Sequence, residues 1–203
     1  MNKSRNQIHD LTMMALFLAI EIVLFVTPFG YLRFGPLSAT LMHIPVIVCA
    51  SVMSTQYGAF LGLVFGISSV INATMTPTVT SFVFSPFVTV AGMSGGFQSL
   101  IIAIVPRVLL GVIAGTIYHK MLEKGKGKVS SAAAAALVAT LCHTFMVLGL
   151  IVLFYGAQYS EALGIAQSAL MGFMGTVILT NCLPETALAV AVNSALAKAL
   201  PNQ

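Results

Sequence analysis

The chain has 203 residues, of which 58% are hydrophobic and only 7% charged, and its mean hydropathy is +1.00. Soluble domains carry about a quarter of their residues as charged groups, so these values exclude a soluble enzyme or binding module and require an integral membrane protein, with room for about six spans of ~20 residues, short loops and no appended soluble domain. The net charge of +4 does not imply a nucleic-acid partner, because Lys3, Arg5, Lys120, Lys124, Lys126, Lys128 and Lys198 all flank expected span ends, the placement that marks cytoplasmic loops.

Residues 1–10 form a basic, polar lead, expected to be cytoplasmic; no small-x-small cleavage site precedes Pro28, so the first apolar stretch is read as a retained span. Helix 1 is expected at about residues 11–27. Ala15 and Ala19 lie four apart and make a small-residue patch where another helix can approach closely. At roughly 100° per residue, Glu21 projects away from that patch. A carboxylate near mid-span costs on the order of 2.5–3.5 kcal/mol, so it should face a bundle interior or a wet cavity. Helix 1 therefore has one face for an outside partner and one for its own bundle.

The segment FGYLRFGPLS, with Tyr31 and Arg33, reads as an unusually aromatic outer loop. Helix 2, about 39–54, carries Thr40, His43 and Pro45 in its first two turns; His43 fits both a structural donor and a ligand group. Helix 3, about 57–73, repeats glycine at 58, 62 and 66, a stripe for tight packing, and brings Asn72 to its outer end. The uncharged stretch from Thr74 to Leu100 has the length of a functional loop, such as a lid, and dips into the bilayer only where protein covers its backbone. Helix 4 is expected to open at Pro106, a favoured first helical position, and to run to about 120. Arg107 shares a stripe with Gly111 and Gly115, so its guanidinium should face packed protein and need an anion. The loop MLEKGKGKVSS, with three lysines, marks the cytoplasmic side. Helix 5, about 132–155, places His143 near mid-span. Helix 6, about 168–200, is interrupted by Pro184, next to the i, i+4 pair Asn181 and Glu185. The expectation is an all-α membrane bundle of six transmembrane helices, one domain over 1–203, with both termini cytoplasmic.

Several kinds of chemistry compete within this frame. The chain has no G-x-x-x-x-G-K-[ST] stretch, so it lacks the P-loop route to ATP hydrolysis, and Cys49, Cys142 and Cys182 are dispersed, with no metal-binding spacing. Gly92-Met93-Ser94-Gly95 has the G-x-S-G form of rhomboid-type intramembrane proteases, yet helix 2 lacks that family's His and Asn pattern. A stand-alone proton-coupled transporter would use Glu21, His43, His143 and Glu185 as a relay, but such proteins usually show internal repeats, and none is evident. No catalytic residue, cofactor or metal site is expected.

A more specific reading comes from the order of several motifs: Ala15-x-x-x-Ala19, TPFGYLRFGPLSAT leading into HIPVIV, YGAFLGLVFG, SPF followed by PRVLLGVIAG, and the final GT-x-x-x-TN-x-x-PE. Together they resemble the substrate-binding S components of energy-coupling factor (ECF) vitamin transporters over essentially the whole chain. The resemblance implies a vitamin-like solute held near the outer face beneath the first outer loop and the loop between helices 3 and 4. It also implies association with a transmembrane scaffold subunit and two cytoplasmic ATPases, docking through Ala15 and Ala19, and toppling in a bacterial cell membrane to carry the solute inward. Ligand contacts differ between members and have to be read from this chain. Its polar set, Tyr31, Arg33, Thr40, His43, Asn72, Gln98 and Arg107, joined by Asn181, suits a small hydroxylated monocarboxylate. Arg107 is expected to bind the carboxylate, with His43, Asn72 and Gln98 on hydroxyl and amide groups. The loop-and-histidine segment looks most like members assigned to pantothenate, which is the expected solute; riboflavin and a pyridoxine-type ring remain open, as do the roles of Glu21, His143 and Glu185.

Overall fold

A chain this apolar must satisfy its backbone hydrogen bonds internally, and helices do so within one segment. The computed structural model is helical almost throughout. It describes residues 3–34 and 37–199, with side chains over 7–31 and 40–199, so the Arg33 side chain lies outside the described residues. The helices are α1 Lys3–Val26, α2 His43–Val52, α3 Thr55–Met75, α4 Phe97–Glu123, α5 Lys128–Leu163, α6 Leu170–Val177 and α7 Leu183–Ala199. A π-helical turn, Ile178–Cys182, joins α6 to α7. Among the described residues, two antiparallel hairpins sit between helices: β1 Tyr31–Phe34 with β2 Leu37–Thr40, and β3 Thr89–Val90 with β4 Met93–Ser94. Five of the described segments are long and apolar enough to cross a membrane: Gln7–Val26, Thr55–Met75, Phe97–Glu123, Lys128–Leu163 and Gln167–Ala199.

The second expected span, 39–54, is shorter in the structure. Its first residues pair in the hairpin, Tyr31 opposite Thr40, and only His43–Val52 is helical. Ten residues rise ~15 Å, half the ~30 Å of a bilayer core. Eight of the ten are buried, from His43 and Pro45 through Ser51, so α2 is a central rod wrapped by its neighbours, as a helix apolar on nearly every side should be. The start of α4 also differs. It begins at Phe97, where the Gly96 N–H donates to Ser99 Oγ at 3.1 Å, and Pro106 lies inside the helix. Helix ends are set by ordinary chemistry: Gly125, at φ +73°, turns the chain after α4, as Gly164, at φ +65°, does after α5.

The glycine stripe of α3 packs on α4. A Cβ at Gly62 would meet the Arg107 carbonyl, one at Gly66 the Ala103 carbonyl, and one at Gly111 the Gly58 carbonyl. Asn193, buried on α7, donates to Ser51 Oγ at 3.2 Å and to the Ala132 carbonyl at 3.0 Å, tying α7 to α2 and α5. On α1, Met14, Phe17 and Glu21 are buried, whereas Ala15 and Ala19 are exposed.

Gly111→Val should lower the melting temperature in detergent by the equivalent of about 1–3 kcal/mol of overpacking, whereas Gly149→Ala, with nothing within 4 Å of the added carbon, should not lower it. A thermal-shift series on the two variants reads the difference.

Candidate functional site

The site is built around the base of the β1–β2 hairpin. Tyr31 and Thr40 face each other in register, and each is fastened to a different helix. The Tyr31 hydroxyl lies 3.0 Å from Ser68 Oγ on α3, and the Thr40 N–H donates to Glu185 Oε1 on α7 at 2.6 Å. The Thr40 hydroxyl donates to the Gly30 carbonyl at 2.8 Å, and the Thr40 carbonyl accepts from His43 Nδ1 at 2.7 Å. One strand pair therefore bridges α3 to α7 as a crossbeam.

Beside it lies a cavity of about 80 Å³, lined by Thr40, Phe84, Arg107, His143, Thr144, Val147, Leu148, Val177, Asn181, Cys182 and Glu185. Arg107 is the buried cation of this wall, 6% exposed. Its guanidinium carbon stands 5.5 Å from the centre of the Phe65 ring and 5.3 Å from that of Phe84. Nη1 donates to the Ile102 carbonyl at 2.5 Å, and Nε has no partner among the described residues. No Asp or Glu oxygen lies within 4.0 Å of it among those residues. Ring faces attract the cation, but they do not supply the anion that a buried guanidinium calls for.

An imidazole, an amide and a carboxylate line the same space, with the hydroxyls of Thr40 and Thr144. His143, on α5, is 6% exposed, its ring 6.2 Å from Phe65, and its Nε2 has no partner among the described residues. Asn181 belongs to the π turn, and Glu185 follows Pro184 at the start of α7. A π turn is a local bulge in a helix, frequent at functional sites, and here it precedes the carboxylate that holds the crossbeam. The cavity thus combines a cation, a carboxylate, an imidazole, an amide and hydroxyls with an apolar remainder, which is the composition of a small-molecule binding site.

Of the residues singled out from sequence, Thr40, Arg107 and Asn181 line the cavity. Tyr31 belongs to the crossbeam, and His43 is buried behind Thr40 without lining the space. Asn72 stays at the end of α3, where its Oδ1 accepts from Thr76 at 3.1 Å, and Gln98 is exposed on the first turn of α4; neither lines the cavity. Phe84, His143, Thr144 and Glu185 do line it; of these the sequence offers only Glu185, in its pair with Asn181 beside Pro184, as open to either helix packing or a solute site. The adjacency of His143 and Thr144 on one apolar helix is the available signal for two of them. Glu21 is 1% exposed, and neither of its carboxylate oxygens has a partner among the described residues. Ser94 is exposed, with its hydroxyl 2.9 Å from that of Thr89, and it shares no hydrogen bond with a histidine among those residues.

The chain as a whole resembles known proteins. The profile of the family described as "ECF transporter, substrate-specific component" matches residues 9–197. The chain belongs to that family. It is 34% identical over 205 residues to the "Pantothenic acid transporter PanT" of Lactococcus lactis subsp. cremoris, with 97% of this chain and 95% of that protein covered. It is 24% identical over 206 residues to the "Pantothenate transporter PanT" of Leuconostoc mesenteroides subsp. mesenteroides, with 97% and 94% covered. As an ECF substrate-specific component, the chain is a multi-pass bacterial membrane protein, and its family serves transport rather than catalysis.

A buried cation with no carboxylate within 4.0 Å among the described residues is costly to stability. Arg107→Met should therefore melt at or above the temperature of the ligand-free parent protein, measured in detergent. A clear drop would mean that the guanidinium supports the fold by itself.

Proposed function

We propose that the protein is the solute-capture subunit of an ATP-driven ECF-type vitamin importer, that its solute is pantothenate, and that the cavity beside the β1–β2 crossbeam is where the solute is held. The observation that carries the reading is the Arg107 guanidinium, with no carboxylate within 4.0 Å among the described residues, in a cavity that also holds Glu185, Asn181 and His143. Pantothenate brings a carboxylate for the first, and hydroxyl and amide groups for the others. Two full-length relatives named for this vitamin support the choice. Thr40, with His43 behind it, completes the polar wall in this proposal. Tyr31 fastens the roof, and Asn72 and Gln98 are left out of the contact set. A cavity of about 80 Å³ is below the ~300 Å³ usual for ligand pockets, so solute entry requires the crossbeam and the Phe84 loop to move apart.

In the membrane, α2 and its hairpin act as the second of six crossings, and α6, the π turn and α7 as the sixth. The lysine-rich turn at 124–128 and both termini face the cytoplasm, and the hairpins face outward. The exposed Ala15 and Ala19 dock a transmembrane scaffold that carries two cytoplasmic ATPases. Bulk at these positions is tolerated by lipid but not by a closely approaching helix. The bilayer and these subunits, with no nucleic acid, are the proposed partners.

Titration calorimetry on the purified chain without ATP should show pantothenate binding, weakened about 10- to 100-fold by Arg107→Ala, as for a lost charge-assisted hydrogen bond. Unchanged affinity would remove the carboxylate assignment. Ala15→Trp and Ala19→Trp should keep the parent affinity yet abolish uptake into cells carrying scaffold and ATPases; loss of binding in these variants would contradict the separation of the two faces of α1.

A further inference from the structure

Pro106 lies inside α4, one residue before Arg107. An α-helix bonds each N–H to the carbonyl four residues earlier, so the carbonyl that Pro106 leaves without its helical donor is that of Ile102. Proline's ring also presses on that carbonyl and tilts it off the helix axis. The acceptor found for Arg107 Nη1 is this same Ile102 carbonyl, at 2.5 Å. The side chain reaches back towards the helix N-terminus, the direction that long helical side chains take. Ile102 is fully buried, so water does not offer a replacement partner on either side of the bond. Against α3, the turn is held by close backbone contact, with Gly62 set on the Arg107 carbonyl and Gly66 on that of Ala103.

We infer that Pro106 is a positioning residue for solute recognition. By removing one backbone donor it frees the Ile102 carbonyl to anchor one arm of the Arg107 guanidinium, which fixes the rest of the fork toward the cavity and the solute's carboxylate. The inference rests on the proposed role of Arg107 and adds the reason why a proline stands in the middle of a span. An ordinary helix former at 106 would give the carbonyl its own N–H and let the guanidinium turn from its place. The fold itself does not need the proline, because an interior proline costs a helix about 3 kcal/mol relative to alanine.

The test is Pro106→Ala in the full chain, titrated with pantothenate and with its alcohol analogue, in which CH₂OH replaces the carboxylate. The variant should melt no lower than the parent protein. It should bind pantothenate about tenfold more weakly and the alcohol within about twofold of the parent value, so that the preference for the carboxylate falls. A purely structural role would weaken both ligands together, and that result, an unchanged preference or a variant that fails to fold would each overturn the inference. If the parent protein itself binds no pantothenate, the functional reading falls and the inference falls with it. Parent binding with an unchanged preference in the variant removes the inference alone.

Discussion

The structure turns on one hydrogen bond, that from Arg107 Nη1 to the carbonyl of Ile102. A guanidinium in a membrane-buried wall is expensive unless charge and donors are met. Here the main chain meets one donor, the rings of Phe65 and Phe84 flank the cation, and no carboxylate comes within 4.0 Å among the described residues. Glu185, the carboxylate lining the same cavity, has one oxygen committed to the Thr40 N–H. In the proposed function, an anionic solute completes the neutralisation of this cation.

The rest of the bundle keeps that cation in place. Glycines on α3 let two backbones meet at the turn that carries Arg107, and the buried half-helix α2 fills the centre of the bundle. The long loop between α3 and α4 is no loose connection: Phe82 and Val83 are fully buried, and Ser99 Oγ donates to the Phe82 carbonyl at 2.7 Å while standing 2.8 Å from the Tyr155 hydroxyl. That loop delivers Phe84 to the cavity and the hairpin delivers Thr40. The remaining lining residues come from α4, α5, α6, the π turn and α7. On α1, Ala15 and Ala19 stay exposed while Met14, Phe17 and Glu21 are buried, so a partner can approach this face without touching any residue that lines the cavity.

Much of this is legible in the residues. The glycine repeat points to the α3–α4 contact, and 100° per residue is enough to place Glu21 away from Ala15 and Ala19. Local pattern fails where tertiary context decides. Pro106 reads as a helix start because proline favours the first turn; it is interior because α4 already begins at Phe97, where the Gly96 N–H finds Ser99 Oγ. Helix 2 reads as a full span because hydropathy alone does not register that residues 37–40 pair with 31–34. Asn72 and Gln98 stand near the ends of their helices without lining the cavity. No sequence pattern relates α5 to the π turn, so His143 and Glu185 find their place beside Arg107 only once the helices are packed.

The most direct test of the central claim is native mass spectrometry of the chain purified from its membrane without added ligand. One small hydroxylated monocarboxylate with the mass of pantothenate should be bound per chain, and it should be absent from a preparation in which Arg107 is replaced by methionine. A bound cation or uncharged ring compound, or a pantothenate signal that persists without the guanidinium, would contradict that claim.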